Sequence, residues 1–257
     1  MSFDTNWFWS VLVAFARTSG LVALAPVFGS RTVPVPVRVG LSGMLALGLA
    51  PVVQPMVGSP PGDWVPLVMR LVGEVVVGLM LGYGVSLIIG AVVMAGELLD
   101  QMMGFSMMQL LNPMSSFPTS LLAQFHYMLA MVLFALVDGH HLLLMALARS
   151  FEVSTGVVRF ETMAHGGLEL ALALGGQVLW LCFQIAVPSA GVLFVVDSAM
   201  AFVSRAVPQV PIWLIGMPAK IAVGLVALAG SLPTFLSLSV RMTELSWRYL
   251  EQVVRGL

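Results

Sequence analysis

The sequence predicts an all-α protein whose surroundings are largely lipid or apolar protein. Three observations predict it. Of 257 residues, 59% are hydrophobic and only 9% are charged, against about 25% charged in an ordinary soluble domain. Apolar runs near or above the ~20 residues that span a bilayer alternate with breaks rich in proline and glycine. The two-residue alternation of a membrane barrel is absent, and helices are the other fold that pairs every backbone group without water.

The same composition excludes several function classes. A net charge of -1 leaves no basic patch to neutralise phosphates, so no nucleic-acid partner is expected. Cys182 is the single cysteine, which excludes a disulfide framework and a cysteine-built metal site.

The elements follow in order. Asn6–Ala25 reads as a retained helix, because Asp4 precedes it and no basic residue appears before Arg17. Trp7, Phe8 and Trp9 at its start suit the lipid headgroup layer. Pro26–Arg38 holds three prolines and two arginines and reads as a stiff connector. Val39–Val57 is a second apolar segment, and Gly58–Val65 a turn. Pro66–Gly96 is a long apolar run containing Arg70 and Glu74. Met103–Ser120 is a break. Leu121–Ala148 is apolar but interrupted at Asp138–His141, and Arg149–Gly166 is a polar loop. Leu168–Ala201 carries Pro188, and Ile212–Leu232 follows a proline-marked break. The tail Thr234–Leu257 places Arg241, Glu244, Arg248, Glu251 and Arg255 on one face, beside an apolar stripe of Leu238, Met242, Leu245, Tyr249 and Val253. The distribution of arginines puts that tail on the cytoplasmic side.

Polar residues inside such runs are costly and therefore informative. Glu74 lies four residues after Arg70, a spacing that allows an ion pair on one face. Glu97 and Asp100 lie three apart with Gln101 beside them. Two readings stay open for these carboxylates: a proton relay or polar pore wall, and inter-subunit hydrogen bonds. Adjacent His140 and His141 cannot chelate one ion together, and no metal-ligand spacing or nucleophile motif is present. Neither a cofactor, a metal nor catalysis is expected. Gly78 and Gly82 form a G-x-x-x-G pair that lets two helix backbones approach closely.

The segment Gln101–Ser120 is the least regular. It gathers five of the 18 methionines, with Phe105 and Phe117 among them, and Gly104, Asn112, Pro113 and Pro118 oppose a continuous helix. Soft, unbranched methionines together make a deformable apolar stopper. The residues alone allow either a gate that yields to a passing chain or a connector buried among helices.

Four stretches carry a family resemblance. They are GSRTVPVPVRVGLSGMLALGLAP (Gly29–Pro51), AGELLDQMMGFSMMQLLNP (Ala95–Pro113), MLAMVLFALVDGHHLLLMAL (Met128–Leu147) and SRAVPQVPIWLIGMPAKIAVGL (Ser204–Leu225). In order, spacing and chain length the sequence resembles the FliR/SctT-like export-gate subunits of type III secretion. The resemblance implies a single all-α domain of bent, membrane-associated helical hairpins, like a FliP and a FliQ fused end to end. Residues 1–165 would be the FliP-like part, with a plug loop at 104–120. Residues 166–257 would be the FliQ-like hairpin and C-terminal amphipathic helix.

It further implies a place in the bacterial inner membrane, at the flagellar basal body, with FliP- and FliQ-like subunits and FlhB- and FlhA-like export proteins as partners. Unfolded flagellar subunits would be the substrate. Phe105, Met107, Met108, Leu110 and Phe117 would obstruct the closed channel, with Gly104, Asn112, Pro113 and Pro118 in the same plug loop. Arg70, Glu74, Glu97, Asp100 and Gln101 would present polar groups to neighbouring subunits or to the pore. A virulence injectisome subunit is the alternative, and a proton-coupled secondary transporter using Glu74, Glu97 and Asp100 a more distant one.

Overall fold

A computed structural model describes residues 5–29, 33–105, 120–153, 160–207, 209 and 212–255. Seven helices run through them: α1 (Thr5–Leu24), α2 (Val35–Val57), α3 (Trp64–Met103), α4 (Leu121–Leu136), α5 (Gly139–Val153), α6 (Phe160–Ala206) and α7 (Ile212–Arg255). The expected all-α architecture is what the chain adopts. Five of these helices are individually long and apolar enough to cross a membrane, and α4 with α5, bent by 64°, would make a sixth as one broken span.

The boundaries differ from the expected ones, most clearly in three places. Helix α2 begins at Val35, ahead of the expected Val39, because Pro34 precedes it and Pro36 falls in the first turn, where a missing N–H costs nothing. Helix α5 runs to Val153 and α6 starts at Phe160, so both ends of the polar loop expected from Arg149 to Gly166 are helical. The tail is not a separate element. Helix α7 is continuous through Pro218 and Pro233 to Arg255. Its expected stripe is nevertheless the inner face: Leu238, Met242, Tyr249 and Val253 are buried, while Arg241, Glu244 and Arg248 are exposed.

The expected interruption at Asp138–His141 is real. Asp138 adopts a left-handed φ of 54°, and its carbonyl accepts the N–H groups of His141 and Leu142 at 2.9 and 3.2 Å to start α5. Gly139 follows, and a Cβ there would displace the Phe134 ring.

The chain forms two compact units. The first comprises residues 1–88, 134–175 and 243–257. Its core gathers Val13, Leu21, Val53, Leu81, Leu143, Leu147, Phe151 and Leu250. Here the G-x-x-x-G pair packs α3 on α1: a Cβ at Gly78 would lie 2.0 Å from the Arg17 carbonyl oxygen, and one at Gly82 2.7 Å from that of Leu21. The second comprises residues 89–133 and 176–242, with Leu99, Met103, Leu122, Leu193 and Leu228 at its centre.

Candidate functional site

Within the first unit, one polar cluster sits inside the apolar core. Arg17, in the middle of α1, is fully buried, and Glu74 of α3 is 3% exposed. The Arg17 Nε donates to Glu74 Oε2 at 2.6 Å, and Nη2 lies 2.5 Å from the same oxygen. Nη1 donates to Ser150 Oγ of α5 at 2.8 Å, and the guanidinium lies 4.0 Å over the Phe151 ring. Thr18 Oγ1, next along α1, donates to the Ala14 carbonyl at 2.8 Å and lies 3.1 Å from the Ser42 carbonyl of α2. Two adjacent residues of α1 thus tie α2, α3 and α5 through charge-assisted and neutral hydrogen bonds.

This corrects the local pair expected between Arg70 and Glu74. Glu74 turns to Arg17, while Arg70 donates to the Val57 carbonyl at 3.0 Å and lies 5.6 Å over the Trp9 ring. Trp9 is accordingly buried, unlike Trp7 and Phe8, which stay exposed at the start of α1. Arg17 was not singled out from sequence as a partner. The available signal was a lone arginine inside an apolar run, which at membrane depth needs an acid.

In the second unit, the polar end of α3 divides. Asp100 is buried, whereas Glu97 and Gln101 are exposed. The three-residue spacing therefore does not set the two carboxylates side by side. Asp100 Oδ1 accepts the Leu122 N–H of α4 at 3.3 Å, and Ser120 Oγ accepts that of Ala123 at 3.0 Å. Gly104 ends α3 with a φ of 87°, and its N–H reaches the Asp100 carbonyl at 3.1 Å. A Cβ at Gly104 would lie 3.6 Å from Met217, and the Met103 thioether rests on Gly224 of α7. Phe105 packs against the Leu99–Leu122–Leu193 core. The expected plug residues Met107, Met108, Leu110, Asn112, Pro113, Phe117 and Pro118 lie outside the described residues.

Further along, Lys220 of α7 pairs with Asp197 of α6. His126 is buried in α4, its Nδ1 2.8 Å from the Leu122 carbonyl and its ring edge-on to Phe125 and Phe235. Among the described residues, no three His, Cys, Asp or Glu side chains converge on a metal-sized site.

A polytopic helical protein with paired charges in its apolar interior is a membrane protein, and its class follows from comparison with known sequences. The profile of "Bacterial export proteins, family 1" matches residues 8–245, and the chain belongs to that family. It is 31% identical to the flagellar biosynthetic protein FliR of Bacillus subtilis, over 84% of this chain and 83% of that one. It is 29% identical to FliR of Escherichia coli, over 91% and 86% of the two chains. It is also 26% identical to the secretion system apparatus protein SsaT of Salmonella typhimurium, over 89% and 88%.

Proposed function

We propose that this protein is a channel-forming subunit of the flagellar type III export gate, working in the inner membrane at the basal body. It closes an assembly of FliP- and FliQ-like subunits and meets FlhB- and FlhA-like partners. Residues 104–120 plug the channel through which unfolded flagellar subunits pass. Residues 1–165 play the FliP-like part and residues 166–257 the FliQ-like part. The energy of transport comes from elsewhere, and the chain does no catalysis of its own.

The observation that carries this reading is the family match along residues 8–245, joined by near-end-to-end similarity to proteins named FliR. The glycine, asparagine and prolines of this methionine-rich stretch oppose a continuous helix, and non-helical backbone between apolar helices is tolerated in a bilayer only within protein or along a watery lumen, which supports a plug. The carboxylates support it over a transporter. Glu74 is committed to Arg17 and Asp100 to the start of α4, so each carboxylate already has a structural partner. The 31% and 29% identities to FliR of Bacillus subtilis and Escherichia coli, above the 26% to SsaT, favour the flagellar system over the injectisome.

Deleting Met107–Phe117 tests the plug. The variant should assemble with co-expressed FliP- and FliQ-like subunits and leak ions across the membrane. An assembled variant that stays as tight as the parent under conditions that open the gate would rule the plug out. Purification of the chain as a self-sufficient monomer or homodimer that transports a solute would rule out the gate altogether.

A further inference from the structure

The structure assigns Asp100 a positioning role: it stands in the last turn of α3 and its side chain caps the start of α4, so one residue ties the end of one helix to the beginning of the next. Where α3 stops, the N–H of Gly104 is shared between the Asp100 and Gln101 carbonyls at 3.1 and 3.2 Å. The Asp100 carboxylate accepts the N–H of Leu122, in the first turn of α4. First-turn N–H groups have no partner within their own helix, and that end of a helix carries partial positive charge. Ser120 takes the N–H of Ala123, so the two side chains between them cap two of the first-turn donors.

The approach is close enough to need glycine. One turn before Asp100, a Cβ at Gly96 would lie 2.7 Å from the Ala123 Cα and 2.8 Å from the Leu122 carbonyl oxygen. Leu99, Met103 and Leu122 then seal the contact in one apolar cluster, which leaves Asp100 2% exposed. A carboxylate buried there has a defined occupation. It pins α4 to α3 and sets the directions in which the chain leaves at Phe105 and re-enters at Ser120. The consequence for transport rests on the plug reading above, but the geometry does not.

Hydrogen exchange on the full-length chain in detergent micelles, read by mass spectrometry over residues 120–124, tests the role. Removing the acceptor leaves the Leu122 N–H without its partner. Asp100→Ala and Asp100→Leu should therefore speed exchange in that stretch about tenfold or more. Asp100→Asn keeps an acceptor oxygen and should stay within about threefold of the parent. Gln124→Ala, an exposed change in the same stretch, should leave the rate unaltered.

Two removal variants are used because one can fail to fold. Unchanged exchange in whichever of them folds overturns the assignment, as does Asp100→Asn matching the removal variants. Ion leak of the same variants, co-expressed with FliP- and FliQ-like subunits in a membrane, is measured in parallel. Fast exchange without leak keeps the positioning role and counts against the plug, whereas slow exchange removes the positioning role whatever the leak.

Discussion

Arg17 and Glu74, 57 residues apart in sequence, share one oxygen at 2.5–2.6 Å with essentially no access to solvent. Breaking a buried pair from one side leaves an uncompensated charge, at a cost of about 3–5 kcal/mol, whereas replacing both partners by apolar residues is often neutral. Arg17→Met and Glu74→Met are each expected to lower the thermal unfolding midpoint in micelles. The double variant Arg17→Met/Glu74→Met is expected to recover most of the loss. A double variant as unstable as the sum of the singles would show that the cluster is more than a mutual neutralisation.

Gly78 sits against the carbonyl of the same Arg17. Gly78→Ala must push α1 and α3 apart and is expected to destabilise by about 1–3 kcal/mol. Gly40 of α2 has nothing within 4 Å of an added Cβ, so Gly40→Ala should be neutral or stabilise by up to about 1 kcal/mol. Thermal midpoints of the two variants, measured side by side, check the contrast.

The last turns of α7 are held on α3 by Tyr249, whose hydroxyl donates to the Met80 carbonyl at 2.8 Å. Its ring lies where a Cβ of Gly84 would be. Tyr249→Phe should cost about 0.5–1.5 kcal/mol. Gly84→Ala should displace the ring and expose the exposed Arg248 next to it to faster tryptic cleavage. Equal cleavage of parent and Gly84→Ala would show that the ring does not anchor the helix end.

Lys220 is the chain's single lysine and is partnered by Asp197. The α-amino group aside, an amine-directed reagent therefore reports on one position. Asp197→Asn should raise modification of Lys220 several-fold by freeing its ammonium from the carboxylate, as read by intact-mass spectrometry. An unchanged rate would mean that the reagent's access to this surface, not the pairing, governs the amine.

Much of the architecture was legible in the sequence because it is encoded locally. Apolar runs, the Asp138-Gly139 break, the glycine pair at 78 and 82, and the stripe from Leu238 to Val253 are all signals within a few turns. The polar cluster was not legible in the same way. Arg70 stood one turn from Glu74 and offered a ready partner, whereas the actual one lies in another helix, and no spacing rule links residues 17 and 74. Asp100 and Glu97 looked equivalent by spacing. Only the arrival of Leu122 against α3 turns one inward and leaves the other exposed. Prolines misled for a related reason: Pro218 and Pro233 punctuate the sequence, yet α7 runs through both without ending.

Helix α2 shows what remains unmet by the chain itself. Val37, Met44, Leu47 and Val52 stand exposed along it, and additions at Gly40, Gly43 and Gly48 would touch nothing. In water such a ridge would seek out its like and precipitate. That ridge therefore needs hydrocarbon or a neighbour's greasy surface laid along it.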